Sequence, residues 1–240
     1  MKLLLTTAIS IISALLLLSS CSKETVKGNG NVITSEIPIS DYTKILSEGN
    51  VDIEYEYKPG QPPYLRLELD ENLVPLLKIK TDNGRLSFSS DKNIEPTVIK
   101  VYTSSSSLEE VVSKGVGNIL LKGNVAGNKL KIDVNGKSDI TAEDLKFNDF
   151  TVNISGQSHM QLKGLNINTT FDVKGDANVS AYELISQKVN CNITGKGNME
   201  IFASQELDIN IKGKGEVTYT GNPPVVKQDI KGNGKVAVRE

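Results

Sequence analysis

Hydrophobic and polar residues alternate along the C-terminal half of the chain around a recurring glycine. These glycines stand 18 to 21 residues apart, at Gly115, Gly136, Gly156, Gly175, Gly195, Gly213 and Gly232. Apolar side chains occupy the second and fourth positions before most of them, and the fourth position after every one. Alternation with a period of two is typical of β-strands with one buried face. The pattern therefore predicts one strand that ends at each glycine and another that leaves it.

The repeat length indicates the architecture. A copy of about 19 residues without a helical pattern suits one coil of a β-solenoid, in which like residues stack at about 4.8 Å. A propeller blade needs about 40 residues and four strands. Calcium-binding nonapeptide solenoids differ in period and carry a glycine-aspartate motif that is missing here. We therefore expect an all-β fold in which residues 111–240 form regular coils. The glycine supplies a backbone conformation that is costly for other residues, and the small residue two positions later keeps the corner tight.

Polar residues recur at fixed positions beside the glycines. The third position after the glycine holds Asn118, Asp139, His159, Asn178, Asn198, Glu216 and Lys235. The position directly before it holds Lys114, Asn135, Ser155, Lys174, Thr194, Lys212 and Lys231. By alternation both sets point outward, so each predicts a polar column along the rod.

The N-terminal part of the mature chain is less regular. Gly28–Val32 (Gly-Asn-Gly-Asn-Val) and the surroundings of Gly49 look like two more copies of the corner. Further strands are predicted at 64–69, 85–89 and 98–102, a short helical turn at 71–77, a hairpin turn at Asp82-Asn83-Gly84 and a polar loop at 104–107. Residues 31–110 are therefore expected to form an all-β region continuous with the solenoid.

The first twenty residues have the pattern of an export signal. Lys2 precedes a mainly apolar run at 3–18, which is shorter than the roughly 20 residues of a membrane span. Leu18-Ser19-Ser20-Cys21 resembles the bacterial lipobox, which makes Cys21 a lipidated N-terminus. An ordinary secretory signal is the alternative.

A lipid on Cys21 would tie the chain to a membrane, because each buried methylene contributes about 0.8 kcal/mol. Ser22 follows in place of the aspartate associated with inner-membrane retention, so the outer membrane is favoured, at the cell surface or on the periplasmic side. Residues 21–30 are expected to be a short tether. Cys191 is then left without a disulfide partner.

Composition excludes several functions. Lys and Arg number 27 against 29 Asp and Glu, a net charge of −2, and only three residues are Arg, which argues against a nucleic-acid partner. One His and two Cys exclude a site of several histidines and a disulfide-rich scaffold. No metal or other cofactor is expected.

A catalytic site is not expected either. Polysaccharide lyases and glycosidases need paired carboxylates, or calcium-binding acids with a base, whereas the acids here are scattered. Asp139 and Asp176 differ by two positions relative to their glycines. His159 belongs to an outward column, and Cys191 takes the place of Val and Ile in a buried one.

Binding is the favoured class of function. Stacked polar columns suit an extended polymer such as a glycan. Tyr182 and Phe202 stand seven positions after their glycines in adjacent coils. They predict either a small aromatic platform or rings packed at a corner. The tyrosines of the N-terminal region, Tyr42, Tyr55, Tyr57 and Tyr64, leave the same choice open.

The corner motif, the opening Gly28–Val32 and the lipobox together resemble a family of Bacteroidetes envelope proteins described as "putative auto-transporter adhesin, head GIN domain". Residues 193–199 (Ile-Thr-Gly-Lys-Gly-Asn-Met) look like its recurring element, and the resemblance spans about residues 28–238. It implies a right-handed parallel β-helix similar to pectin-lyase-like solenoids, and a role in cell adhesion without a catalytic site. No functional residues are implied.

The expected function is therefore that of a non-catalytic adhesion lipoprotein that recognises a glycan or a surface protein. A periplasmic structural or assembly protein is the alternative, and a carbohydrate-active enzyme comes third. Lys235, Arg239 and Glu240 place charge on the last coil, which would oppose end-to-end growth. Side-by-side association as a homo-oligomer stays open.

Overall fold

The computed structural model describes residues 24–239, so the predicted signal peptide and Cys21 lie outside the described residues. Of residues 24–239, 74% lie in strands, which form about six turns of a β-solenoid with almost no helix in this part of the chain. The predicted fold class is thus confirmed.

The strands fall into an N-terminal head and a regular solenoid. The head contains β1 (Thr25–Lys27), β2 (Val32–Glu36), β3 (Lys44–Ser47), β4 (Asp52–Tyr57), β5 (Tyr64–Asp70), a 3-10 helix (Glu71–Leu76), β6 (Leu77–Asp82), β7 (Arg85–Ser90), β8 (Asn93–Glu95), β9 (Ile99–Ser105) and β10 (Glu110–Ser113). The solenoid contains β11 (Val116–Val134), β12 (Lys137–Ile154), β13 (Gln157–Val173), β14 (Asp176–Ile193), β15 (Lys196–Ile211), β16 (Lys214–Thr220), β17 (Val225–Ile230) and β18 (Asn233–Val238).

Each long strand of the solenoid wraps around one coil and forms three faces. In β12, residues 137–142 after the glycine form face B, residues 145–147 form face C, and residues 149–154 form face A, which leads to the next glycine. Pairing with β13 is parallel and in register on each face, with a shift between Ala142 and Leu145. The alternation predicted faces A and B. Face C is too short to show a period, so the sequence pattern did not reveal it.

The inward positions of faces A and B form the core. Ile140 lies on Met160, and Val152 lies on Phe171, in neighbouring coils. Cys191 continues the column of Phe171 and is fully buried, and burial raises the pKa of its thiol above the ordinary value. The predicted core position of Cys191 is therefore correct, and its thiol is kept protonated and out of solvent.

The corner glycines touch one another along the rod. A Cβ built on Gly156 would lie 1.8 Å from the carbonyl oxygen of Gly136, and the same contact measures 1.9 Å for Gly136 and Gly175. The glycine column contains Gly49, Gly115, Gly136, Gly156, Gly175, Gly195, Gly213 and Gly232. None of these glycines has a positive φ. The sequence argument expected a special backbone conformation, but the actual requirement is close approach between backbones.

The head continues two of the faces in an order that differs from the order along the chain. Face A runs from β11 through β10, β3 and β7 to β6, and face B runs from β11 through β4, β9 and β5 to β2. The coil made by β3, Gly49 and β4 therefore lies directly beneath the coil of Gly115, as the Gly49 copy of the motif predicted. The predicted 71–77 turn is the 3-10 helix, and Asp82–Gly84 is the turn between the antiparallel β6 and β7.

Gly28–Val32 is not a corner of the solenoid, and that prediction was wrong. The segment follows β1, which pairs with β8 outside the main sheet, so the chain is already part of the fold from residue 25. Gly28 packs against the carboxylate of Asp70, where a Cβ would lie 2.4 Å from Oδ2. Asp70 is fully buried and accepts hydrogen bonds from the backbone nitrogens of Gly30 (2.8 Å) and Thr97 (2.7 Å). A buried carboxylate, rather than the solenoid repeat, organises this segment.

The predicted polar loop at 104–107 begins later than expected. Ser104 and Ser105 belong to β9 and are buried. Ser105 shares a hydrogen bond with the hydroxyl of Tyr55 (3.1 Å), and Thr103 shares one with Tyr42 (2.6 Å). Burial raises the pKa of Tyr55 to about 12. Tyr42 and Tyr55 are therefore packing residues, which settles the choice for these two tyrosines.

The last coil exposes positions that are buried in the coils before it. Val226 and Ile230 are 37% and 40% exposed, whereas their partners Leu207 and Ile211 on face A are fully buried. Lys235 is exposed on β18, as predicted, and Arg239 lies over the ring of Tyr182.

We predict that Gly156→Ala lowers the free energy of unfolding by more than about 3 kcal/mol, because the methyl group has to displace the backbone of the coil beneath. Gly197→Ala is the matched control, since Ala177 holds the same place in the preceding coil and the added Cβ would only meet the side chain of Ile193 at 3.3 Å. That variant should change the free energy by less than about 1 kcal/mol. Denaturant unfolding measures both, and equal effects would contradict the role of the glycine column.

A second prediction concerns acid stability. Burial by itself raises the pKa of Asp70, but hydrogen bonds from Thr97, Gly30 and Val98 outweigh it and lower the pKa. The folded state therefore binds this proton less tightly than the unfolded state, so the stabilisation is present above about pH 4 and is lost as the pH falls through the lowered pKa.

Asp70→Asn should accordingly lower the melting temperature at neutral pH, and the difference from wild type should shrink in acid. Thermal unfolding followed by circular dichroism across the acid range checks this. Asp176→Asn, at an exposed aspartate, is the control. A melting temperature for Asp70→Asn equal to that of wild type at neutral pH would refute the anchoring role of the carboxylate.

Candidate functional site

Face B is a continuous sheet from one end of the molecule to the other. Its strands follow the order β2, β5, β9, β4, β11, β12, β13, β14, β15, β16 and β18. Eleven strands at about 4.8 Å span roughly 48 Å between the first and the last. The outward side chains of this sheet form rows that run along the rod.

One of these rows contains the polar residues that the sequence marked as a candidate binding face; Tyr182 and Phe202, the other two candidates, lie outside it. We call it the polar ladder, and it consists of Asp52, Asn118, Asp139, His159, Asn178, Asn198, Glu216 and Lys235. All members from Asn118 onward are exposed, as predicted. Asp52 was missed, although it stands three positions after Gly49 and the same rule finds it.

Three pairs of neighbouring members of the polar ladder are hydrogen bonded: Asp52 with Asn118, Asp139 with His159, and Asn178 with Asn198. Asn118 donates from its backbone nitrogen (2.7 Å) and from Nδ2 (3.1 Å) to Oδ1 of Asp52. Asn198 donates from Nδ2 to Oδ1 of Asn178 (3.1 Å). Nδ1 of His159 lies 3.2 Å from Oδ1 of Asp139, with both side chains more than half exposed, so the pair contributes little to stability. The ladder is an ordered array of amide and carboxylate groups that faces solvent.

A cavity of about 640 Å³ borders the ladder where the head begins; we call it the corner cavity. The polar ladder contributes Asp52, Asn118 and Asp139 to its wall. Val98 and Val116, which are 39% and 49% exposed, supply apolar surface beside them. The ladder therefore ends in a concave surface, which the sequence did not indicate because the loop that carries Val98 is remote in the chain.

A second cavity, of about 390 Å³, lies farther along the strands of face B in the head, and we call it the head cavity. It is lined by Glu54, Glu56, Lys58, Tyr64, Arg66, Tyr102, Thr103, Ser104 and Lys122. Lys122 donates to Glu54 (3.0 Å), and this hydrogen bond lowers the pKa of the carboxyl. Sequence analysis left Tyr64 open between binding and packing; it is 40% exposed and lines this cavity.

Tyr182 and Phe202 are not brought together. Phe202 pairs in register with Ile185 on face C, because residues 182–184 form an irregularity in β14 between Ala181 and Ile185. Tyr182 lies instead beneath Arg239, whose guanidinium carbon is 4.4 Å from the ring centroid. The platform that the sequence left open as one alternative would need the two residues in register, and they are not.

Face A also carries an outward array. The predicted column from Lys114 to Lys231 is exposed. Three positions before the glycines lies a second column that sequence analysis did not single out: Asp133, Asn153, Asp172, Asn192, Asn210 and Asp229. Asn153 donates to Asp133 (2.6 Å), and Asn192 donates to Asp172 (2.7 Å), so amides alternate with carboxylates from Asp133 to Asn192. Among residues 24–239, no group of three or more His, Cys, Asp and Glu side chains is placed to hold a metal ion.

Face C is different in character. Leu165 and Ile185 are in register and are 55% and 43% exposed, and Ile167 beside them is 42% exposed. These side chains form a short apolar strip on face C. Face B therefore remains the surface with the longest ordered polar array.

Comparison with known proteins agrees with this architecture. Residues 41–223 match the family model described as "Putative auto-transporter adhesin, head GIN domain". The chain belongs to this family. A comparison with curated protein sequences finds no match. Within residues 24–239 no helix has the length and apolar character needed to cross a bilayer.

Several solved structures resemble this adhesin-family chain over most of its length. A putative adhesin from Bacteroides fragilis aligns with a TM-score of 0.82 at 21% identity, covering 89% of this chain and all of the other, which shows the shared fold. A putative lipid binding protein from Parabacteroides distasonis aligns with a TM-score of 0.77 at 27% identity, covering 90% and 100%. A putative adhesin from Parabacteroides merdae gives 0.69 at 27% identity, covering 90% and 99%.

Proposed function

We propose that this chain is a non-catalytic, lipid-anchored adhesin whose face B binds an extended surface polymer, with a glycan as the favoured ligand. The observation that carries the proposal is the polar ladder, an ordered row of solvent-facing amide and carboxylate groups on an eleven-stranded sheet. The family membership and the adhesins among the structural neighbours support an adhesive role.

The geometry of the ladder suits a polymer better than a compact ligand. Its groups recur every 4.8 Å or so along the rod, so a chain laid across face B meets similar donors and acceptors many times. Each contact is weak because it is exposed, but linked contacts add up through their high effective concentration. The corner cavity gives such a chain a concave place in which to end.

The anchor belongs to the same proposal. A lipidated Cys21 at the outer membrane would hold the head of the rod close to the lipid, because β1 begins only four residues later. Lipid attachment would leave the solenoid free to contact polymers outside the bilayer. Self-association remains open, through the exposed edge of β17 and β18.

The arrangement gives no support to catalysis. His159 and Asp139 are both exposed members of the ladder. The thiol of Cys191 is buried and protonated. A binding role uses the ladder as it stands.

The location of the solenoid decides between adhesion and the periplasmic structural alternative. Protease added to intact cells should cleave the chain, with lysed cells and a Cys21→Ala variant as controls. The variant should leave the membrane fraction, because it lacks the acyl chains that hold the wild-type chain there. A solenoid protected until lysis would overturn surface adhesion and favour the periplasmic role.

The ladder itself is tested by the double variant Asn178→Ala with Asn198→Ala. We expect retention on an immobilised glycan or on target cells to fall about tenfold, since two neighbouring rungs of a multivalent contact are lost. Asn128→Ala with Asn148→Ala is the matched control, because these residues form the same stacked amide pair (2.8 Å) away from face B. Equal losses from both double variants would contradict a role for face B.

A further inference from the structure

The head cavity combines features that differ from those of the polar ladder. Its lining contains an exposed aromatic ring, cations, carboxylates and a buried hydroxyl within about 390 Å³. Apart from Lys58, which directly follows β4, these groups come from β4, β5, β9 and β11, which are separate in sequence and adjacent in face B. The cavity is therefore a product of the non-sequential order of the head strands.

Tyr64 provides the free aromatic surface. It lies opposite Ser104 in the antiparallel pair of β5 and β9, and Arg66 lies opposite Tyr102 in the next outward row. Tyr64 and Tyr102 are thus diagonal neighbours, about 7–8 Å apart. Tyr64 keeps 40% of its surface exposed at the cavity.

Arg66 is held in place by its neighbours. Its guanidinium carbon lies 4.0 Å from the centroid of the Tyr102 ring, and its Nη2 lies 3.6 Å from Glu68. Lys100 approaches the same ring at 4.8 Å. The ring of Tyr102 is therefore used to position cations, whereas the ring of Tyr64 is available to a ligand.

Besides the exposed ring of Tyr64, the side chain of Ser104 is a second and independent indication that the cavity binds a ligand. It is only 3% exposed, it points to the outer side of face B and lines the head cavity. Its hydroxyl has no hydrogen-bond partner within residues 24–239. A buried hydroxyl that stays unpaired costs stability, so its presence in a cavity wall is best explained by a ligand that supplies the partner.

The charges around the cavity are paired with one another. Lys58 lies 2.9 Å from Glu56, and Lys122 lies 3.0 Å from Glu54. A ligand that both donates and accepts can bridge such pairs without leaving a charge unpaired, which is the behaviour of hydroxyl groups. Hydroxyl groups around a ring with an apolar face fit the whole set of partners.

We infer that the head cavity is a subsite for one pyranose ring of a neutral glycan, with its apolar face on Tyr64 and its hydroxyls on Ser104, Arg66 and the paired charges of the rim. The inference rests on the proposed function, and it identifies the part of the surface that would bind the polymer most tightly. The ladder would then orient the remaining length of the polymer.

The other tyrosine–arginine stack supplies an internal comparison. Tyr182 lies under Arg239 beside a cavity of about 470 Å³, with lysine and glutamate nearby. It lacks a second ring and has no buried unpaired hydroxyl within the described residues. Tyr182→Ser is therefore the matched control for Tyr64→Ser.

The test uses the full-length lipoprotein in detergent and saturation-transfer NMR with methyl glycosides of hexoses, N-acetylhexosamines and hexuronic acids. We expect at least one neutral glycoside to bind, with the strongest transfer on one face of its ring. Tyr64→Ser should weaken this binding about tenfold, equivalent to about 1.4 kcal/mol. Tyr64→Phe and Tyr182→Ser should keep it.

Ser104→Ala separates binding from folding. Because the hydroxyl has no protein partner, its removal should leave the melting temperature unchanged or raise it. The same change should weaken glycoside binding about fivefold, which corresponds to the loss of one hydrogen bond of about 1 kcal/mol.

The outcomes distinguish this inference from the proposed function. Polymer binding that survives Tyr64→Ser and Ser104→Ala but falls in the ladder variant would overturn the subsite and leave the adhesin proposal intact. Glycoside binding at the cavity without adhesion of intact cells would overturn the adhesin proposal alone. Absence of any glycoside signal would overturn the subsite. Binding confined to uronates and abolished by salt would do the same, because it would indicate ion pairing rather than ring stacking.

Discussion

The close approach of corner glycines, backbone against backbone, governs the rest of this molecule. Each coil can lie one strand spacing above the coil before it only because the carbonyl oxygen of one glycine occupies the space where the next would carry a Cβ. This contact sets the register at one point in every coil. Parallel pairing then carries that register along both flanking strands, so like residues stack on like. The buried columns and the polar ladder are two results of the same constraint.

The strands of the head do not stack in the order of the chain as the coils of the solenoid do, and this difference creates the cavities of the head. The coil around Gly49 lies beneath that of Gly115, although 65 residues lie between them in the chain. Those intervening residues must double back, and they do so as antiparallel strands that lengthen face B. Asp70 fixes the segments around Gly30 and Thr97 through hydrogen bonds that a repeat cannot supply. Concave surface arises here because the strict stacking of the solenoid is interrupted.

A regular face and an irregular head suit two parts of one binding task. The ladder offers the same groups repeatedly, which would give the proposed polymer contact length and avidity with little selectivity. The head cavity combines a ring, paired charges and a buried hydroxyl at one place, which is the kind of arrangement that selects one ring from another. Membership of the adhesin family fits a surface role for both, while the fold alone would fit many functions.

Period-two alternation and the spacing of glycines determined the solenoid and its coil length. They also determined the buried position of Cys191 and the outward row from Asn118 to Glu216. Each of these features depends only on the local order of residues along a strand. Tertiary structure decided what depends on pairing between distant segments. The irregularity at 182–184 separates Tyr182 from Phe202, although both stand at the same distance from their glycines. Gly28–Val32 resembles a solenoid corner in sequence, but the segment packs instead against the buried carboxylate of Asp70. Tyr64, Arg66 and Ser104 lie together only because β5 pairs antiparallel with β9. The alternation of residues along either strand does not indicate which strand it pairs with.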